Sequence, residues 1–274
     1  MFTKLLKHEW RSTRGTLGLL CLISLGASLM GGLTMRYLIG ASEQHTQHNL
    51  ILILNILGMV AAIIAVSITG VAALVLLVGR FYKSRFTDEG YLTFTLPVNT
   101  HQNLLSSMLN TVIGTVIIFF VICAALCIWL LIGFSALEGY GEFMKELWDD
   151  HLPELWEERG LLFEELGYGN VVLFFSNVLV GNLSEIVMLM LAVTIGSVIA
   201  VKHKILASVG MYYGIHVGMS ILTSSLFSGL KLMERSGAAV VSSVFFMTLG
   251  TTIVLSAAGY FLMYWLVQKK LNLN

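Results

Sequence analysis

The stretch Leu50–Gly79 reads LILILNILGMVAAIIAVSITGVAALVLLVG and contains no charged side chain. A helix needs about 20 apolar residues to cross the hydrocarbon core of a bilayer, so this stretch predicts a transmembrane helix. Outward from it, further apolar runs of this kind occupy residues 17–39, 106–135, 171–200, 205–228 and 238–267. The first run is longer than the core of a cleaved signal peptide, so we expect it to be retained as a span.

The composition supports a single helical membrane domain over residues 1–274. The chain has 57% hydrophobic and 12% charged residues, whereas soluble domains carry about 25% charged residues. A transmembrane β-barrel needs short segments that alternate in polarity, and this sequence has long unbroken apolar runs instead. The predicted fold class is an all-α integral membrane protein with six transmembrane helices.

The placement of lysine and arginine predicts the orientation of the spans. Membrane proteins concentrate these residues on the cytoplasmic side. With the N-terminus inside, 11 of the 16 lysines and arginines lie in cytoplasmic segments: Lys4, Lys7, Arg11, Arg14, Arg80, Lys83, Arg85, Lys202, Lys204, Lys269 and Lys270. We therefore expect both termini in the cytoplasm.

Residues 1–15 are predicted to form an amphipathic helix on the membrane surface. Apolar residues, Trp10 among them, recur there at helical spacing, and basic residues take the opposite side. This arrangement suits a membrane surface rich in anionic lipid headgroups. The alternative is a basic flank that only sets the topology.

Residues 136–170 form a strongly acidic external segment with apolar residues at near-helical spacing. We expect two short amphipathic helices on the outer membrane face, anchored by Trp148 and Trp156, because tryptophan favours the membrane interface. The negative charge either attracts cationic substrates or belongs to a solvated helix face.

Residues 80–105 form the longest polar segment predicted on the cytoplasmic side. Its first basic residues, including Arg85, are expected at the lipid headgroups. Beyond them lies an apolar cluster made of Tyr91, Leu92, Phe94, Leu96 and Val98. Such a cluster in an aqueous segment needs a cover, either the ends of neighbouring helices or a partner protein.

Glu185 is an acidic residue at the middle of a predicted span. A carboxylate at this depth costs several kcal/mol unless it is protonated, paired or hydrated. The polar side chains expected to help it are Asn177, Asn182 and Ser184 on the same helix, or His216 on the fifth span. Glu185 is then either a polar point on a translocation path, or a proton-coupled site, or a neutral, hydrogen-bonded group that joins two helices.

Gly210, Gly214 and Gly218 repeat every four residues along the fifth predicted span. Small residues at this spacing let two helix backbones approach closely. The pattern predicts tight packing, against a neighbour in the same chain or against a second subunit.

Motifs for catalysis are missing from the sequence. It has no G-x-x-x-x-G-K-[ST], no H-E-x-x-H and no G-x-S-x-G pattern, so we expect this chain to lack both an ATPase site of the P-loop kind and a catalytic site. Cys123 and Cys127 share a helix face without a nearby histidine or carboxylate, and no metal site is predicted. No nucleic-acid partner is expected.

The stretch Phe86–Val98, FTDEGYLTFTLPV, resembles a loop of small bacterial permeases of the type-2 exporter class of ABC transporters. The layout of a basic N-terminal helix and six spans is also similar. The resemblance implies a multi-pass permease of the bacterial plasma membrane that exports a peptide, such as an antimicrobial peptide, or a lipid-like or other amphipathic molecule. In that class the main external element usually lies between the fifth and sixth spans, whereas here it lies between the third and fourth.

The resemblance also implies partners. In that class a coupling helix between the second and third spans docks on a separate ATPase. Two copies of the ATPase, which bind ATP and Mg²⁺, act on two permeases, identical or homologous, and the permease itself binds no cofactor. On this sequence the docking surface would consist of Asp88, Glu89, Gly90, Tyr91, Leu92, Thr93, Phe94 and Leu96.

Two other classes of function remain open. A stand-alone secondary transporter would need an intramembrane relay or broken helices, for which Glu185 is the candidate. A bacteriocin-immunity or sensor protein would not transport at all, and residues 88–96 could then be scrambled without loss of function.

Overall fold

The computed structural model describes residues 2–43, 49–87, 90, 99–154, 160, 167–200, 202–229 and 238–270. Within these ranges the regular secondary structure is helical, with no strand. The helices are α1 (Phe2–Glu43), α2 (Asn49–Phe86), α3 (Thr100–Phe134), α4 (Tyr140–Glu146), α5 (Tyr168–Ile199), α6 (Lys204–Gly229) and α7 (Ala238–Lys270). A π-helical turn, Leu147–His151, directly follows α4.

Six of these helices are long and apolar enough to cross a membrane: α1, α2, α3, α5, α6 and α7. Within the described residues, the predicted all-α fold with six helices long and apolar enough to span a membrane is therefore confirmed. The direction in which the chain threads the bilayer stays a prediction.

Helix α1 continues through the boundary that the sequence predicted near residue 16. It has 42 residues, which corresponds to about 63 Å at 1.5 Å per residue, about twice the thickness of a hydrocarbon core. The region contains no proline to end the helix, and the amphipathic stretch simply extends the apolar one. Residues 1–15 are thus the first turns of α1, and their placement at a membrane surface stays a prediction.

The chain divides into two compact units. The first unit consists of residues 1–6, 78–112 and 159–274, and the second consists of residues 7–77 and 113–158.

The second unit is held together by α1, α2 and α3. Leu17, Leu77 and Ile118 belong to one buried cluster. A Cβ atom placed on Gly31 would lie 2.9 Å from the Cβ of Ala62 and 2.9 Å from the ring of Trp129. This glycine therefore allows a close approach of the three helices, as small residues do in membrane proteins.

The first unit contains α5, α6 and α7 together with the end of α2 and the start of α3. Its core includes Phe81 and Phe86 of α2, Leu104 of α3, Met190 of α5 and Met263 of α7. The two helix ends that border residues 87–99 are therefore packed against α5 and α7 rather than held by the chain alone.

Large apolar side chains lie exposed on the spans, for example Leu22, Ile68 and Leu206. In water such a surface would drive aggregation, whereas lipid tails solvate it without cost. This exposure agrees with a membrane location.

The acidic segment 136–170, predicted to be external, contains one described helical stretch, from α4 through the π-helical turn to Leu152–Glu154. Gly139 precedes it with φ +77°, a left-handed conformation that glycine adopts without strain. Pro153 comes just after the π-helical turn and lacks the backbone N–H that a continuing helix would use. Trp148 is 70% exposed, and Trp156 lies outside the described residues.

Candidate functional site

Of the predicted coupling residues, the structure describes Gly90 alone. The others lie outside the described residues: Asp88, Glu89, Tyr91, Leu92, Thr93, Phe94 and Leu96. What the structure does describe is the base of this loop, where α2 ends and α3 begins.

Gly90 lies directly against the end of α2. Its N–H donates to the carbonyl oxygen of Thr87 at 2.8 Å. A Cβ atom on Gly90 would lie 2.5 Å from the carbonyl oxygen of Arg85 and 2.8 Å from its carbonyl carbon. Because backbone atoms cannot move aside as a side chain does, this turn requires glycine.

Arg85 is completely buried, at 0% exposure. Its Nη2 donates to both the carbonyl oxygen and the Oδ1 of Asn103, at 2.6 and 2.7 Å. Its Nη1 donates to the hydroxyl of Ser84, and its guanidinium lies 5.3 Å from the centre of the Phe81 ring. The expectation that Arg85 lies at the lipid headgroups is therefore wrong.

The burial of Arg85 has a physical reason. A buried cation is costly unless hydrogen bonds satisfy it, and the two oxygens of Asn103 suit the fork of donors on a guanidinium. Arg85 is the penultimate residue of α2, and Asn103 lies in the first turn of α3. The contact therefore ties together the two ends of the loop 87–99, and we call it the Arg85–Asn103 clamp.

The start of α3 is also fixed to α7. The ring of His101 stacks on the ring of Tyr264, with 3.9 Å between centres and 12° between planes. The Nδ1 of His101 lies 3.1 Å from the hydroxyl of Tyr260. The loop base is thus connected both within itself and to the last span.

Helix α3 carries a buried polar face in its first three turns. Its members are at most 5% exposed and recur at helical spacing: Asn103, Ser106, Ser107, Asn110 and Thr111. Sequence reasoning missed this face, although the spacing i, i+3, i+4, i+7, i+8 was visible. Polar groups buried at this depth hold helices in one arrangement, because they need fixed partners.

A polar cluster joins α5 and α6 near their middles. The hydroxyl of Tyr212 donates to Oε1 of Glu185 at 2.5 Å, and Nε2 of His216 lies 3.2 Å from the same oxygen. The rings of Tyr212 and His216 are 4.4 Å apart, edge to face. The structure thus brings Glu185 and His216 together and adds Tyr212, which the sequence had not indicated.

Asn177 and Asn182, also named with Glu185, have other hydrogen-bond partners. Asn177 joins α5 to α7, since its Nδ2 donates to the carbonyl of Phe245 at 3.1 Å and its Oδ1 accepts from Thr248 at 2.7 Å. Asn182 is exposed and donates to the carbonyl of Val178 in its own helix at 2.7 Å. The predicted polar group is therefore divided: Glu185 and His216 lie together, whereas Asn177 contacts α7 and Asn182 contacts its own helix.

Gly210, Gly214 and Gly218 face open space, because a Cβ atom on each would meet nothing within 4 Å. A different glycine allows α5 and α6 to approach. A Cβ atom on Gly196 would lie 2.5 Å from the backbone nitrogen and Cα of Ser208. Packing of the three-glycine face against a second subunit stays a prediction.

Trp10, the remaining predicted anchor, is half-buried in α1. Among the described residues, no group of three histidine, cysteine, aspartate or glutamate side chains is arranged to hold a metal ion.

Taken together, the fold and these sites define a multi-pass helical membrane protein with a clamped loop between its second and third spans. No protein-family model, curated protein or solved structure matches this chain.

Proposed function

We propose that this chain is the membrane-spanning permease subunit of an ATP-driven ABC transporter of the bacterial plasma membrane. A separate ATPase supplies the energy and acts through the loop 86–98. The transported molecule is a peptide, a lipid-like molecule or another amphipathic compound, and the direction is export.

The observation that carries the proposal is the Arg85–Asn103 clamp beside the Phe86–Val98 stretch. A loop that serves only as a connection needs no fully buried arginine at its base, since connecting segments usually tolerate movement. A loop that transmits a movement from a partner ATPase needs a rigid base. The hydrogen bonds from Nη2 of Arg85 to Asn103, at 2.6 and 2.7 Å, supply that stiffness.

The packing of the loop base suggests how a movement of the ATPase would be transmitted to the transmembrane helices. Phe81 and Phe86 at the end of α2, and Leu104 at the start of α3, share one core with α5 and α7. His101 adds a stacked contact to Tyr264 of α7. Closure of two ATP-bound partner subunits would therefore move these helix ends together, and the partner would hold the ATP and Mg²⁺. Two ATPases require two permeases, so the complex contains a second copy or a homologous subunit.

The apolar residues of the loop supply the docking contact in this proposal. An aromatic or aliphatic side chain inserted in a partner's groove is typical of interface hot spots. Leu92 stands within that apolar cluster, and a charge placed there would oppose docking.

The proposal is tested by purifying the tagged protein from native membranes in mild detergent and identifying the co-purified proteins by mass spectrometry. We expect a P-loop ATPase with the wild-type chain and its loss with Leu92→Arg. The matched control is Leu152→Arg, the same change at a leucine of the external segment that is 41% exposed. The control should retain the ATPase.

Reproducible recovery of the well-folded chain without any ATPase would overturn the proposal. A stand-alone transporter or an immunity protein would then be the better interpretation. Recovery of the ATPase with both variants would place the docking surface elsewhere than the loop.

A further inference from the structure

The carboxylate of Glu185 lies deep between the ends of its helix. Glu185 is 17 residues after Tyr168 and 14 before Ile199, the first and last residues of α5, which places it roughly 25 and 20 Å from the two ends at 1.5 Å per residue. Its side chain is nevertheless 44% exposed, and that of His216 is 37% exposed. An ionisable group is therefore open to its surroundings at membrane depth.

The protein contacts satisfy Glu185 on one side only. Tyr212 and His216 both approach the same oxygen, Oε1. Among the described residues, no lysine or arginine pairs with this carboxylate. The second oxygen, Oε2, receives no hydrogen bond from that part of the chain either.

The surface of α5 one turn before Glu185 offers room and a second acceptor. Gly181 precedes Glu185 by one turn, and a Cβ atom there would meet nothing within 4 Å. Asn182, three residues before Glu185, is exposed. Its Nδ2 donates to the carbonyl oxygen of Val178, which leaves its Oδ1 as the second acceptor. Residues three and four apart share one helix face, so the open space and the polar side chain adjoin the carboxylate.

We propose that Glu185, with Asn182 and Tyr212, binds the positively charged group of an amphipathic molecule that enters from the membrane. A carboxylate at this depth is costly while it lacks a counter-charge, and a lipophilic cation supplies that charge and an apolar body together. The face of the Tyr212 ring adds a cation–π contact. His216, whose Nε2 lies 3.2 Å from Oε1, approaches the same oxygen as Tyr212.

As a substrate site, this inference rests on the proposed transport function and names its substrate class as cationic amphipaths. As a binding site, it stands independently. Its test is therefore carried out on the isolated chain in detergent, without ATPase or nucleotide, and the loop plays no part in it.

The probe is tetraphenylphosphonium, a lipophilic cation, compared with tetraphenylborate, an anion of nearly the same shape. Equilibrium dialysis against the purified protein measures the dissociation constant of each. We expect saturable binding of the cation, at least about tenfold tighter than that of the anion, because the two differ in the sign of the charge near Glu185. Equal binding of the two ions by the wild-type protein would overturn the proposal without recourse to any variant.

Three variants locate the site. Glu185→Gln keeps the shape and removes the charge, and we expect cation binding at least about tenfold weaker. Glu185→Asp keeps the charge and should bind within about threefold of wild type. Glu142→Gln removes an exposed carboxylate of the external segment and should change nothing. Unchanged binding in Glu185→Gln, or loss of binding in Glu142→Gln, would overturn the assignment.

Folding is monitored by the elution profile and thermal unfolding of each variant. If Glu185→Gln fails to fold, Asn182→Leu replaces it, because the single hydrogen bond of that exposed amide lies within its own helix. We expect weaker cation binding in Asn182→Leu as well, and unchanged binding there would contradict the proposal.

Discussion

At the scale of single residues, Arg85 shows that a hydrogen-bond partner distant in sequence can bury a charged side chain. Sequence reasoning placed it with the other basic residues at the headgroups, since hydropathy treats all arginines alike. Its burial depends on Asn103, which lies 18 positions away and faces Arg85 once α2 and α3 pack. In contrast, Glu185 could be singled out from sequence, because a carboxylate within an apolar run is unusual whatever its partners.

Replacing Arg85 tests the clamp. Arg85→Ala removes charge-assisted hydrogen bonds, each of which contributes about 1.5–3 kcal/mol, so we expect a loss of at least about 3 kcal/mol in stability. Arg85→Lys keeps the charge but not the fork of donors, and we expect a smaller loss. Thermal unfolding in detergent measures both. The control is Arg14→Ala at an exposed position of α1, and an equal effect there would show that Arg85 has no special role.

Replacing Gly90 tests the turn at the loop base. In Gly90→Ala the new Cβ atom would lie 2.5 Å from the carbonyl oxygen of Arg85, so the turn must open. We expect reduced recovery of the ATPase while the elution profile of the chain stays normal. Gly79→Ala is the matched control, because a Cβ atom there meets nothing within 4 Å. Wild-type recovery with Gly90→Ala would mean that the turn is not needed for docking.

At the scale of helices, the apolar runs predicted the spans well and their ends poorly. The runs at 50–79 and 106–135 fall almost entirely within helices that extend over Asn49–Phe86 and Thr100–Phe134. Hydropathy reports where a helix can meet lipid, whereas the helix itself continues as long as backbone hydrogen bonds and packing support it. The additional turns of α2 and α3 form the loop base. The Arg85–Asn103 clamp therefore lies just outside the apolar runs that hydropathy detects.

Helix packing makes opposite predictions for two glycines in α5 and α6. Gly196→Ala brings a Cβ atom to 2.5 Å from the backbone of Ser208, so the two helices must separate and the thermal stability should fall clearly. Gly214→Ala meets open space and should leave stability unchanged or raise it by up to about 1 kcal/mol, the helix preference of alanine over glycine. The melting temperatures of the two variants, measured by thermal unfolding in detergent, test both predictions. A larger loss for Gly214→Ala would mean that its face is covered within the purified protein.

At the scale of the whole molecule, the class of protein follows from composition and hydropathy, while the working mechanism does not. Apolar runs are local patterns, so they can be recognised in a single sequence. The Arg85–Asn103 clamp, the stacking of His101 on Tyr264 and the contact of Tyr212 with Glu185 each join different helices. Such pairs depend on the order in which helices pack, which a single sequence does not encode in any local pattern.

The loop base and the Glu185 site belong to the same compact unit, since residues 78–112 and 159–274 form its main part. If the ATPase drives transport through the loop, its nucleotide state must change the affinity of the cation site, and by linkage the cation must change nucleotide affinity equally. We therefore expect vanadate trapping of the complete complex to shift the tetraphenylphosphonium dissociation constant by roughly fivefold or more, the lower range of allosteric coupling. In Arg85→Lys, with a weakened clamp, the complex should still bind the cation but show a smaller shift. A full shift in that variant would mean that the coupling runs by another route, and the absence of any shift in the wild-type complex would separate the cation site from the transport cycle.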